Sequence, residues 1–530
     1  MRRKFFGAAL AVLFLAVGCG RKDGMPESLP EPFLRSITVS QESVVLSDGG
    51  SLELPFTVKD PDFFFSELLL RTGGGTAPEE FSLQGFKRGA EAGSYTATLK
   101  DAGRGKPYRT QVCLAITQRN AETGVESVVT SAPFMVVSER QGPDTGLPVV
   151  VVETENGREI VSKEDYLSAT LRIFGVGEYE NLEPVACSIR GRGNTTWTWP
   201  KKPYLIKLDQ KESLLGMHKH KRWILLANFM DRTLMRNLVS MKVSSFTRLA
   251  WTPHCVPVEL VLNDKHVGSY LLIEQVRVDK NRVNISEEDG YLLELDFHYD
   301  NEVQWKDPHG GTVQWGAGSG IPFGVKYPDP DDITPAQLSY IQDYIFQAAE
   351  ALYGPDFTDP KKGYAKYLDV DSFVDYWLVF EVMGNHELGN PGSVFMHKDK
   401  DGKLVAGPCW DFDWGILSYH TSPQARTGLI NEKAIWYSRL FQDPEFKAKV
   451  KARFQELLPQ LQTISAYMDA CETLLTESAG LNFQMWNPAD DRSQNGGQII
   501  NGDENLSFHA AIERLKSNFE DRLQVISASL

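Results

Sequence analysis

The sequence predicts two architectures in succession: an all-β, immunoglobulin-like sandwich, then a larger α+β domain. Three observations carry this reading. Between about Leu34 and Val137, short runs alternate apolar and polar residues, with turn residues between them. Beyond a junction rich in Gly, Pro and polar residues, strand-like runs come first and helical patterns later, the order of an α+β fold rather than a doubly wound one. Finally, 530 residues are too many for one simple domain but enough for two large cores.

The N-terminus, MRRKFFGAALAVLFLAVGCG, sets Arg2, Arg3 and Lys4 before an apolar run from Phe5 to Val17. That is a secretory-signal layout, and the run is too short to read as a spanning helix. Its close, AVGC, resembles a bacterial lipobox with Cys19 as the lipidated residue, although Ala16 stands where leucine is commoner. The expectation is a signal peptide at 1–18 and a lipid anchor on Cys19. The protein is then an extracytoplasmic, membrane-anchored lipoprotein, facing the periplasm or the cell surface. Secretion after cleavage elsewhere is the alternative. GRKDGMPESLPEP makes 19–33 read as a flexible tether.

The strand-like region follows, at 34–140. SITVSQESVVLS and GSLELPFTVKD alternate in character, with Asp48-Gly49-Gly50 as the turn between them, and SYTATLKD and YRTQVCLAITQR continue the style. About seven short strands in about a hundred residues suggest the immunoglobulin-like sandwich. It contains no catalytic cluster and reads as a spacer or interaction module.

SERQGPDTGLP forms the junction, and the second domain is read from 147 to 530. VVVVETE opens it as a buried-type strand. PYLIKLD, RWILLAN, VPVELVLN, GSYLLIEQV and GYLLELD read as further strands. Thr334-Pro335 starts a helix with Leu338, Ile341 and Ile345 on its apolar face, and Asp443-Pro444 repeats the start signal. DSFVDYWLVFEVMG is an apolar helix ending at Gly384. SFHAAIERLKSNFEDRL is an amphipathic one.

The formal charge of −15 argues against a general nucleic-acid-binding surface. Setting Cys19 aside leaves Cys113, Cys187, Cys255, Cys409 and Cys471, widely spaced and without CxxC. They point to buried free thiols rather than a zinc site or a disulfide framework. Cys409 reads as packing, not as a nucleophile.

The chemistry-bearing phrase is GPCWDFDWG, Gly407 to Gly415. Asp411 and Asp413 stand two residues apart among Trp410, Phe412 and Trp414. They either cap neighbouring loops or hold a cation in a water-poor cleft. In an extended segment both project to the same side. Glu294 and Asp296 in YLLELD share a face in the same way. Arg190 and Arg192 bracket the Gly-rich RGRGN, whose N–H groups cradle an anion or merely form a tight turn. Lys207 in PYLIKLD can meet phosphate as a point charge, with Lys201 and Lys202 as alternatives. Glu274, in the apolar LLIEQV, needs a cationic partner. Arg236, after Asp231, reads as a structural ion pair.

Four phrases in order, IRGRGNTTWTWPKKPYLIKLD, KRWILLANFMDRTLMRN, ELVLNDKHVGSYLLIEQV and GNHELGNPGSVFMHKDKDGKLVAGPCWDFDWG, resemble the spore-coat protein H (CotH) kinase family. These are secreted atypical kinases whose fold is a distant relative of the protein-kinase fold. The resemblance covers roughly Leu147 to Leu530, with the last hundred residues matching loosely. RGN-S/T-x-W, LN-x-x-x-x-G-x-Y-L-x-x-E and WDFD together form the signature. The resemblance implies an atypical protein-kinase-like domain that uses ATP with Mg²⁺ or Mn²⁺. It also implies phosphoryl transfer to an unknown extracytoplasmic protein acceptor. Such chemistry needs cations against the phosphate charge and carboxylates to hold the metal.

Residue by residue, Asp411 matches the family's metal aspartate, and Asp413 supports it. Asn385 matches the first position of an N-x-D phrase and offers an amide oxygen to the metal. The acidic position of that phrase is Glu387 here, one methylene longer, as the catalytic carboxylate. His386 has no match. Lys207, its partner Glu274, Arg190 and Trp410 fall to the nucleotide side. Two other readings stand beside this one. A noncatalytic cell-surface binding or scaffold protein on a kinase-like fold is favoured by the appended sandwich, the anchor and Glu387. A glycoside hydrolase with paired carboxylates is permitted by composition but opposed by the ordered phrases.

Overall fold

The structure is a computed structural model that describes residues 36–46, 50–59, 67–102, 108–119, 126–138, 142–312, 319–489 and 500–530. The expected signal peptide, Cys19 and the tether lie outside these residues. The chain divides near Val136 into an all-β unit and a larger α+β unit.

Among the described residues the first unit holds nine strands: β1 (Ser36–Val39), β2 (Ser43–Val45), β3 (Ser51–Lys59), β4 (Leu68–Thr72), β5 (Phe81–Arg88), β6 (Ser94–Asp101), β7 (Tyr108–Arg119), β8 (Glu126–Thr130) and β9 (Phe134–Ser138). They form two sheets, ordered β1-β3-β6-β5 and β2-β9-β7-β4, with β8 added on β7. In β3 the alternation puts Leu54, Phe56 and Val58 inside, while their neighbours in the strand stay exposed or half-buried.

The second unit begins with a closed seven-strand barrel. Its strands are β10 (Val149–Thr154), β11 (Leu167–Phe174), β12 (Leu182–Gly191), β13 (Tyr204–Glu212), β14 (His220–Leu226), β15 (Cys255–Leu262) and β16 (Lys265–Glu274). The apolar run of β10 is explained by its place in the closure. It pairs antiparallel with β11 and parallel with β15. Val150 and Val152 fill the barrel, and Val149 and Val151 pack on its other side with Phe174 and Val261. Ile206, Trp223, Leu225 and Leu272 also point inward. Their neighbours Leu205, Ile224, Leu226, Leu271 and Ile273 turn outward into a second, larger core. The wall β13-β14-β16 therefore belongs to both.

That second core lies under a sheet ordered β18-β19-β17-β20-β21. Its strands are β17 (Tyr291–Leu295), β18 (Gln304–Thr312), β19 (Ser319–Tyr327), β20 (Val394–Lys398) and β21 (Leu404–Ala406). The helices are α1 (Thr195–Thr198), α2 (Arg236–Ser244), α3 (Pro335–Tyr353), α4 (Val370–Val382), α5 (Tyr437–Leu440), α6 (Pro444–Leu461), α7 (Ile464–Met485) and α8 (Phe508–Ser529). Helix α3 starts as its sequence requires. Thr334 and Gln337 exchange side-chain-to-backbone hydrogen bonds, a capping box worth about 1 kcal/mol. Helix α4 is buried all round from Ser372 to Val382, which is why its sequence lacks a polar face. It stops where Gly384 takes a φ of 63°.

The second unit takes in the chain from Val137, and Thr145 of the junction donates its hydroxyl to buried Glu259 of β15 at 2.9 Å. One expectation needs correction. The segment carrying Asp411 and Asp413 is not a strand, and Asp411 sits at a φ of 64°. Their common direction has a different cause, given below.

Candidate active site

A cleft of about 1250 Å³ opens within the second unit, floored by carboxylates and rimmed by cations. The outward side chains Leu205, Ile224 and Leu226 form part of its wall. Its acidic residues include Glu294, Asp296, Glu387, Asp411 and Asp413, and its cations include Arg190, Arg192 and Lys326.

The spacing of Asp411 and Asp413 is set by the residue between them. Phe412 is fully buried, packs on Phe380 of α4 with ring centroids 4.8 Å apart, and donates its N–H to Asn237 of α2 at 2.9 Å. With Phe412 rooted in the core, both flanking carboxylates turn to the cleft. Asp411 holds the left-handed backbone conformation that aspartate tolerates better than most residues. Its Oδ2 accepts from Ser393 Oγ at 3.3 Å. Beyond Asp413, Gly415 N–H donates to Asn501 at 3.0 Å, which fixes the exit of the loop.

Glu387 comes from the corner after α4. Asn385 is fully buried and its Oδ1 accepts from Glu387 N–H at 2.8 Å, so the side chain shapes the turn that presents Glu387. Asn431 Nδ2 donates to the Asn385 carbonyl at 2.8 Å. Asn385 is not among the cleft-lining residues, and it positions Glu387 rather than meeting a metal itself. His386 lines the cleft with its Nδ1 3.0 Å from Ser422 Oγ.

The floor is electrostatically loaded. Burial, then the nearby Asp411 and Asp413, push the Glu387 carboxyl well above its ordinary range. Burial likewise raises Asp411 and Asp413, with Arg192 pulling both down. The Arg192 guanidinium lies 5.8 Å from the ring centroid of Trp410, itself only 5% exposed. Lys326 pairs with Glu294 at 3.0 Å, and Asp296 is tied to His298 Nδ1 at 2.9 Å.

Some expected site residues move. Arg190, at the end of β12, lines the cleft but its guanidinium rests over Tyr166 at 5.1 Å; Arg192, after the strand, is the cation facing Asp411 and Asp413. Trp410 supports that cation. Trp414, stacked on Trp199 at 6.4 Å, is the more open cleft wall. Lys207 is exposed on β13 and does not line the cleft. Glu274 is buried away from it and meets His254 and Arg282, not Lys207. Lys201 is buried with its Nζ donating to the Ala227 and Ser269 carbonyls and to Asn482 Oδ1, a structural tie. Lys326 was missed. It lies on β19, whose SGIPFGVKY text gives only a weak strand signal. The expected structural role of Arg236 holds: it pairs with Asp231 and also with Asp503. Cys409 is buried, and burial pushes its thiol up to about 12, so it packs and does not react.

The model of the CotH kinase protein family matches residues 189–526, more than half of the chain. The chain belongs to the CotH kinase family. The CotH match starts in β12, just before Arg192, and runs into α8, so it spans the whole acidic floor. Strands β10 and β11, which complete the barrel, precede it. No curated relative matches the chain. A solved structure of a chimeric titin Z1Z2 tandem matches at 11% identity, over 36% of this CotH chain and 96% of its own, with a TM-score of 0.12. That likeness carries no argument.

Proposed function

We propose that this CotH-family chain transfers a phosphoryl group from ATP to a protein acceptor outside the cytoplasm, using Mg²⁺ or Mn²⁺. The observation that carries the reading is the oxygen-only floor of Glu387, Asp411 and Asp413 beside Arg192. Carboxylate oxygens without nitrogen or sulfur ligands suit a hard divalent cation. Asp411 and Asp413 would hold it, and the cation would offset charge on the phosphate oxygens. Arg192 offers a planar fork of donors to an anion while balancing the two aspartates. Glu387, held by the Asn385 turn, accepts the proton of the acceptor hydroxyl. Trp199 and Trp414 wall the cleft and restrict water. The AVGC motif supports a lipid anchor on Cys19, and the all-β unit then acts as an immunoglobulin-like spacer from the membrane.

The test is a thermal melt with ATP and Mg²⁺ together and with either alone, followed by transfer from γ-labelled ATP. Only the pair should raise the melting temperature. Glu387→Gln should lower transfer about a hundredfold or more, since an amide accepts no proton, while Glu387→Asp keeps activity. No joint shift and no transfer would instead favour the noncatalytic surface-binding reading.

A further inference from the structure

Away from the cleft, three elements at the rim of the barrel bring two imidazoles to one buried carboxylate. His218 lies between β13 and β14, His254 just before β15, and Glu274 at the last residue of β16. One ligand atom from each lies within 4.8 Å of the other two. Both imidazoles are exposed, with ring centroids 6.1 Å apart. Glu274 is fully buried. Its Oε2 accepts from the His254 backbone N–H at 3.0 Å and lies 3.0 Å from His254 Nδ1. Its Oε1 makes no hydrogen bond among the described residues. Arg282 Nε stands 4.0 Å from that oxygen, too far for a hydrogen bond.

A carboxylate buried at the end of an apolar strand calls for stronger compensation than this. Two imidazoles and a carboxylate make a donor set for a borderline cation, unlike the oxygen-only floor of the cleft. Zinc bonds of about 2.0–2.1 Å place tetrahedral ligand atoms roughly 3.4 Å apart, a spacing that small turns of the exposed rings bring within reach from separations of 4.8 Å or less. Three protein ligands leave a fourth position for water. Among the described residues a second group of this kind, Glu472, His509 and Glu513, is an exposed or half-buried set of helix-surface ion pairs shared with Lys516.

We propose that His218, His254 and Glu274 form a zinc site, distinct from the nucleotide cleft, that clips three segments of the barrel rim together. Gln275, Val276 and Arg277 follow Glu274 directly and line the cleft. Zinc at the rim therefore steadies the chain where it enters the cleft wall.

The experiment titrates Zn²⁺ into metal-free full-length protein by calorimetry, with Mg²⁺ saturating the cleft throughout. The visible spectrum of the Co²⁺ form reports coordination. The parent protein should bind about one Zn²⁺ per chain and give the intense bands of four-coordinate Co²⁺. His218→Ala and His254→Ala should each weaken binding about tenfold or more and bleach those bands. His509→Ala should bind as the parent does. Both rim histidines are exposed, and melting curves of the variants check that they fold. Failure of the parent to bind Zn²⁺, or unchanged affinity in the His218→Ala/His254→Ala double variant, would overturn the proposal.

Discussion

Two groups of buried charge in the second unit are handled in opposite ways. Around α2 and α4 the buried charges of Arg236, Asp375 and Glu381 are matched. Arg236 is clasped by Asp231 and Asp503 and donates to the Ile416 carbonyl at 3.0 Å. Arg522 meets Glu381, which also accepts from the N–H groups of Ile430 and Asn431 at 2.7 and 3.0 Å. In the cleft floor, Glu387 feels the charges of Asp411 and Asp413, and among the described residues none of the three is clamped by an ion pair. Arg192 offsets them only in part. Charges that serve the fold are balanced within it, and the surplus collects where an outside cation can balance it. Local charge balance thus separates the two roles better than burial does.

Breaking a matched charge should have the largest effect on stability. Arg236→Met leaves Asp231 and Asp503 buried without their cationic partner and should cost about 3–5 kcal/mol in denaturant unfolding. A loss below about 1 kcal/mol would mean that the pairing is not what holds these elements.

Removing a surplus charge should do the reverse. Asp411→Asn should leave the melting temperature unchanged or higher, yet weaken Mg²⁺-dependent nucleotide binding about a hundredfold. Asp413→Asn should do the same more mildly. If it does more harm, the two aspartates exchange roles.

His220 shows a third treatment, a buried group kept neutral. Burial, then Arg282, pull its imidazole down to about 4. In the unfolded chain the same group takes up its proton near pH 6.5. Between about pH 6.5 and 4 the unfolded state therefore binds the extra proton, and stability falls as pH falls, by up to about 3 kcal/mol. His220→Gln should remove that slope from an acid unfolding series. A parallel slope in the variant would exclude His220 as its source.

The smallest contrast concerns the lysine that missed the cleft. Lys207→Ala should leave nucleotide-dependent stabilisation as it is, whereas Arg192→Met should reduce it about tenfold. Equal losses would return Lys207 to the site.

Much of this was legible in the text because the signals are local. Short apolar runs marked β13 to β17, and N-caps marked the starts of α3 and α6. The phrase around Asp411 pointed to the site because its acidic residues sit among aromatic ones, and the corner at Glu387 pointed to it through the resemblance to the family's N-x-D phrase. The barrel was hidden because its closure rests on β10 pairing with β15, about a hundred residues on, a contact with no local mark. The choice of Arg190 over Arg192 went astray because their directions depend on where β12 ends and Gly193 turns at a φ of 85°. The direction of Glu274 was equally out of reach, because its partners come from His254 and Arg282, in segments that nothing in its own strand announces.

Phe412 has one more consequence. Many sites sit on loops that loosen before the rest of the protein does. Here the residue separating the two cleft-facing aspartates is a core residue, packed against the buried helix α4. The acidic pair has no melting of its own. On heating, it keeps its geometry until α4 gives way, and then loses it at once. Loss of nucleotide binding should coincide with global unfolding rather than precede it, and substitutions that loosen the Phe380–Phe412 contact should disarm the site without touching a charged residue.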